Sequence, residues 1–122
     1  CYRGYYSPDR KEIALCTKEE GVFFHELAHC AHEKVKGNLT MGQDPLQEIV
    51  AELSAHALCR IVGMSGEKFI GNSYKYIDSY ADKLKVSTCS ACIKVMTDVE
   101  KVLNLILKVP ENTAQDITSL NA

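Results

Sequence analysis

"FFHELAHCAHE", residues 23–33, sets three histidines and two glutamates among apolar residues. Upstream, Thr17-Lys18-Glu19-Glu20 has the S/T-x-x-E form of a capping box, and downstream Gly37-Asn38 is a stop, so the segment reads as one helix running to about Lys36. On a helix, residues four apart lie about 40° from each other, one turn along, so His25 and His29 share a face and can grip one ion. Glu26 lies about 100° from His25, near enough to reach a water beside such an ion without being a ligand. Two nitrogen ligands and a carboxylate placed as general base are the physical content of HExxH. The plain alternative is a hydrogen-bonded core arrangement that holds no metal.

A catalytic zinc site takes three protein ligands and keeps a fourth position open. Candidates for the third come from the next helix, which Asp44-Pro45-Leu46-Gln47 opens with an N-cap, a proline at the first helical position and a Gln three residues after the cap. In "EIVAELSAH" (residues 48–56), Glu48, Glu52 and His56 are each four apart and form a polar stripe on an otherwise apolar helix. Buried carboxylates are costly unless paired or metal-bound. Glu48 is the expected third ligand, with Glu52 or His56 in its place if the helix register differs. Glu52 is expected to accept a hydrogen bond from the second ring nitrogen of a ligand histidine, against the alternative of an ordinary salt-bridged carboxylate. His32 and Glu33 read as bystanders, His32 as a solvated or capping histidine. Candidates for stabilising an oxyanion or touching substrate are His32, His56 and one of Tyr5, Tyr6, Tyr74 or Tyr76. Cys30 points about 100° away from His29 and reads as packing.

Outside these two helices, Ser7-Pro8-Asp9 is a turn, and Glu12 to Cys16 a short strand that needs a hairpin partner. The second helix carries Ile49, Val50, Leu53, Ala57, Leu58 and Ile61, ends near Gly63 and reads as largely buried. Residues 64–72 read as loop, with Phe69 and Ile70 as an apolar plug, and a third helix is expected from about Ser73 to Lys85. Ser87 or Thr88 caps a fourth, running to about Lys108 with Cys92, Val95, Met96, Val99, Val102, Leu103 and Ile106 on one face. Pro110 ends it. The expected fold is α+β: a small N-terminal β-hairpin or sheet beside the histidine-bearing helix, then three further helices around one core, with a domain over residues 1–109 and a polar tail over 110–122.

Composition narrows the partners. The chain has 122 residues, 46% hydrophobic and 25% charged, with a net charge of −2, which suits one globular domain and argues against disorder. No block of lysines and arginines marks a nucleic-acid surface, so binding of nucleic acid through this domain alone is not expected. No apolar run approaches the roughly 18 residues needed to cross a bilayer, and "CYRGYYSPDRKE" lacks the basic flank and apolar core of a signal peptide. The chain begins at Cys1 without an initiating methionine and is expected to be part of a larger multidomain chain. Six cysteines sit mostly inside apolar helical patterns, which predicts free thiols in a reducing cytoplasm. Cys89-Ser90-Ala91-Cys92 has no second CxxC or nearby histidine to complete a zinc site and reads as small buried or half-buried residues.

"HELAH" followed by "EIVAE" resembles the gluzincin metallopeptidases, in which HExxH is followed on the next long helix by a ligand glutamate, often with an acidic residue four further on. More closely, "GYYSPDRKEIALCTKEE" leading into "FFHELAH", then "EIVAELSAHAL" and "NSYKYIDSYADKL", resembles the zincin-like metallopeptidase domain of ArdC-type antirestriction and polyvalent proteins of mobile elements. ImmA/IrrE-type peptidases are similar but more distant. The resemblance covers about residues 2–85. It implies a zincin-like fold with Zn2+ held by His25, His29 and Glu48, Glu26 as general base, Glu52 supporting a ligand, and a protein or peptide substrate. It also implies that the strand from Ile13 to Cys16 is the edge that pairs with extended substrate. The resemblance does not extend to the DNA-binding partner domain of ArdC-like proteins, which is not expected within these 122 residues. Two classes of function follow: a zinc-dependent peptidase, or a non-catalytic, metal-stabilised binding module of a mobile-element protein.

Overall fold

A computed structural model describes residues 4–15, 20–37, 39, 44–63 and 67–108. Among these residues the order is β1 (Gly4–Ser7), β2 (Glu12–Leu15), α1 (Glu20–Lys36), α2 (Pro45–Ile61), α3 (Glu67–Lys83) and α4 (Thr88–Leu107). The protein is thus mostly helical with one small antiparallel sheet, which agrees with the α+β expectation. Thr17 to Glu19 and Asn38 lie outside the described residues, as do the ends of the sequence, including the tail expected over 110–122.

The two strands form a hairpin in which Tyr6 faces Ile13 and Ser7 faces Glu12. The turn between them closes with the Lys11 N–H donating to the Ser7 carbonyl at 2.8 Å, and Lys11 takes a left-handed backbone with φ 56°. A two-stranded ribbon is marginal by itself and needs something to lie on. Here it packs on α1.

α2 is the central helix and contacts α1, α3 and α4. Its start follows the sequence signals: Asp44 is the N-cap, its side chain accepting from the Gln47 N–H at 3.1 Å, with Pro45 opening the helix. α1 ends where Gly37 takes φ 97°, a conformation that costs other residues more. The core joins Ala28 and Ala31 of α1, Ile49, Val50 and Ala51 of α2, Ile77, Tyr80 and Ala81 of α3, and Ala91, Val95, Val99 and Val102 of α4. Ala28 of α1 and Ala51 of α2 are buried to within 1% exposure in this core, and side chains this small allow packed helices to approach closely. That approach lets side chains of α2 reach the histidines of α1.

Three expectations need correction. α3 begins at Glu67, six residues before the expected start at Ser73. Gly71 does not break it: a glycine in a helix costs about 1 kcal/mol, which Glu67, Lys68 and the buried face of Ser73, Ile77, Tyr80 and Ala81 can carry. Ile61, the last residue of α2, is 59% exposed, and Met96 of α4 is 52% exposed, although both match the apolar period of their helices. Cys30, Cys89 and Cys92 are free thiols, as expected, but Cys89 is exposed. Among the described residues no helix is long and apolar enough to cross a membrane.

Candidate metal centre

The buried face of α1 is polar. His25, Glu26, His29, His32 and Glu33 are all at most 9% exposed, so each needs a partner. Those partners divide the face into two parts.

The first part meets α2 and α3. His25, His29 and Glu48 each offer a ligand atom within 4.8 Å of one another, a group that could hold a metal ion. His25 Nε2 lies 3.0 Å from Glu48 Oε2, and His29 Nε2 lies 3.3 Å from Glu48 Oε1. Donors at about 2.0–2.1 Å from a tetrahedral ion stand about 3.3 Å from one another, so the observed spacing suits a small ion, and two imidazoles with one carboxylate suit zinc chemistry. Two rings in T-shaped contact, with centroids 4.9 Å apart, aim both nitrogens at the same carboxylate.

Further residues hold these donors in place. Glu52 Oε2 lies 2.9 Å from His25 Nδ1, and the Ser73 hydroxyl donates to Glu52 Oε1 at 2.8 Å. The Tyr76 hydroxyl donates to Glu48 Oε2 at 2.9 Å, and its ring stands edge-on to His25 with centroids 5.4 Å apart. A neutral imidazole has one N–H, yet both nitrogens of His25 face carboxylates. A second cation, proton or metal, must therefore lie between Nε2 and Glu48. In the metal-free chain it is a proton. Burial pushes the imidazolium pKa of His25 down, but the hydrogen bonds and charges of Glu48 and Glu52 outweigh it and raise the value to about 9. Burial likewise opposes the charge on Glu48, whose bonds to His25 and His29 hold it well below the usual carboxylate range. Tyr76 is raised, first by burial and then by the Glu48 charge, so its hydroxyl keeps its proton and donates it.

Glu26, next to His25 in sequence, is 7% exposed. Burial raises its pKa, the charges of His25 and His29 oppose that rise, and a hydrogen bond from the Tyr6 backbone N–H opposes it further. The carboxylate thus stands beside the metal-competent group, held by the hairpin.

The second part of the face meets α4 and the hairpin. His32 is only 2% exposed, not solvated, and its Nε2 lies 3.1 Å from Asp98 Oδ2, which also takes Lys36 Nζ at 3.0 Å. Burial lowers the His32 pKa against the pull of Asp98. A cavity of about 400 Å³ opens beside this pair, and none of His25, His29 or Glu48 lines it. Glu33 accepts from the Tyr6 hydroxyl and from Lys11 Nζ, so it is no bystander either.

The structure therefore brings together His25, Glu26, His29, Glu48 and Glu52. His56 is half-buried on α2 and outside the metal-competent group. Tyr74 is 61% exposed, two residues from Tyr76 and so turned away from the site. Of the four tyrosines considered, Tyr76 is at the donors and Tyr6 at Glu26. Sequence reasoning missed Ser73, which it used as a helix start; on a helix from Glu67, Ser73 and Tyr76 fall three apart on one face, and that spacing was the available signal. No family model, no curated protein and no solved structure matches this chain.

Proposed function

We propose that the protein is a zinc-dependent metallopeptidase with a zincin-like domain, in keeping with its resemblance to the gluzincins and the ArdC-type domains. The observation that carries this reading is the convergence of His25, His29 and Glu48 beside a buried Glu26 that is not needed as a ligand. A ligand set for structure alone has no use for such a carboxylate. Bound Zn2+ would supply Lewis acidity, polarising a scissile carbonyl and acidifying a water molecule.

The chain's own residues do the rest. Glu26 accepts the proton of the attacking water and delivers it to the leaving amine; burial, which raises its pKa, makes it a better base for the first step. Glu52, itself held by Ser73, accepts a hydrogen bond from the Nδ1–H of His25 and so leaves Nε2 as the ligand atom. Tyr76 orients Glu48 by its hydroxyl. The substrate class is protein or peptide.

The test is cleavage of an unstructured protein by the zinc-loaded protein. Glu26→Gln is expected to lower the rate about 10²- to 10⁴-fold while zinc affinity is unchanged. Equal cleavage by both forms would reject the reading. No cleavage by either form, with a chelator still lowering Tm, would favour the alternative of a metal-stabilised binding module.

A further inference from the structure

Glu33 is buried to 5% exposure on α1, and among the described residues its carboxylate has two partners, both from the hairpin: the Tyr6 hydroxyl and Lys11 Nζ. Glu26 and Glu33 are seven residues apart, two helical turns, and so lie along one face. Tyr6 spans that interval. Its backbone N–H reaches the Glu26 carboxylate, its side chain passes Cys30, and its hydroxyl ends on Glu33. Lys11, at the turn of the same hairpin, extends from a largely exposed position to the other oxygen of Glu33. One buried carboxylate thus secures both ends of the β1–β2 turn region to α1, and the secured strand supplies the donor that fixes Glu26.

We propose that Glu33 is a positioning residue for Glu26, acting through Tyr6 and the hairpin and touching neither metal ligands nor substrate. The proposal rests on the peptidase reading for its catalytic consequence, while the mechanical link from Glu33 to Tyr6 to Glu26 stands by itself. A free glutamate side chain loses rotamer freedom when it is fixed, and a base displaced by about 1 Å costs about 100-fold in rate. The link matters because it meets the first cost before substrate arrives and prevents the second.

The experiment uses Glu33→Ala, Glu33→Gln and Tyr6→Phe, with Glu12→Gln as a control in the exposed Arg10–Glu12 pair of the same hairpin. Two readouts are taken on the zinc-loaded protein: kcat and KM on an unstructured protein, and the NMR shift and exchange rate of the Tyr6 amide. Glu33→Ala is expected to lower kcat about 10- to 100-fold with KM and zinc affinity within about twofold, and to release the Tyr6 amide to faster exchange. Glu33→Gln keeps an acceptor for the Tyr6 hydroxyl and is expected to recover part of kcat. Tyr6→Phe combined with Glu33→Ala should cost no more than the larger single change. Glu12→Gln should leave both readouts unchanged. If Glu33→Ala lowers Tm alone, with kcat per folded molecule and the Tyr6 amide unmoved, the proposal is overturned. If the wild type cleaves nothing yet the Tyr6 amide responds to both Glu33→Ala and Glu26→Gln, the link stands and the peptidase reading is what fails.

Discussion

His25 and His32 sit on the same face of α1, and each meets a carboxylate of another helix at nearly the same distance, 3.0 Å to Glu48 and 3.1 Å to Asp98. Their environments turn these similar contacts into opposite electrostatics. His25 has a carboxylate on each ring nitrogen, and its pKa rises to about 9. His32 has one, shared with Lys36, and its Nδ1 has no hydrogen-bond partner among the described residues; burial wins and its pKa falls. A second histidine, His29, reaches the Glu48 carboxylate, while no second histidine reaches Asp98. Convergence on one carboxylate, not the His–carboxylate contact itself, separates a metal-competent group from a packing contact.

The comparison can be broken most directly by removing its two carboxylates in turn. Glu48→Ala is expected to weaken zinc binding by more than about 100-fold in calorimetric titration, since it removes a ligand outright. Asp98→Ala should leave zinc affinity unchanged. Similar losses in the two variants would erase the distinction.

The pH dependence of the metal-free protein gives the next largest effect. A histidine whose folded pKa is raised contributes stability that is complete below its unfolded value of 6.5 and is lost as pH rises through the folded value. For His25 the loss falls between pH 6.5 and about 9 and amounts to about 3 kcal/mol. Glu48 acts on the acid side: its lowered pKa stabilises above the unfolded value of 4.5, and that contribution disappears as pH falls below it. His32 also loses stability on the acid side, as pH falls below 6.5, because its pKa is lowered. Thermal melts in a chelator should therefore show Tm dropping from pH 6.5 to 9, with zinc abolishing the drop. A flat profile in the chelator would show that His25 is not held as described.

Smaller effects sharpen the picture. Glu52→Ala should weaken zinc binding about 10- to 100-fold, because His25 loses the acceptor that sets its tautomer. Asp98→Ala should cost about 1–3 kcal/mol in denaturant unfolding, through the buried His32 left without its partner. Asp98→Ala thus affects folding alone, while Glu52→Ala also registers in metal affinity.

Much of this was legible beforehand because it depends on local geometry. The spacing of His25 and His29, the Asp44 cap with Pro45, and the hairpin turn all depend on neighbours within a few residues, where helix and turn periodicities apply. The misreadings have the opposite character. His32 and Glu33 look like surplus polar residues until Asp98, 66 positions from His32, and Tyr6, 27 positions from Glu33, are brought against them. The start of α3 was missed because residues 64–72 read as a loop with Phe69 and Ile70 as its plug, and local preferences of about 1 kcal/mol are easily overridden by packing. Met96 and Ile61 match the apolar period, but period alone does not say where a neighbouring helix stops.

The sequence by itself determined that two imidazoles share a helix face with a glutamate beside them, and that Glu48 and Glu52 lie one turn apart on the following helix, since a 3.6-residue period leaves no other arrangement. Only the tertiary structure decided that Glu48 meets both histidines, that Ser73 and Tyr76 of α3 support Glu52 and Glu48, and that the hairpin is fastened through Glu33. Those outcomes depend on how closely helices approach in the core and on contacts more than twenty residues apart in the chain. A helical period cannot encode such distances, because they are set by what fills the space between elements.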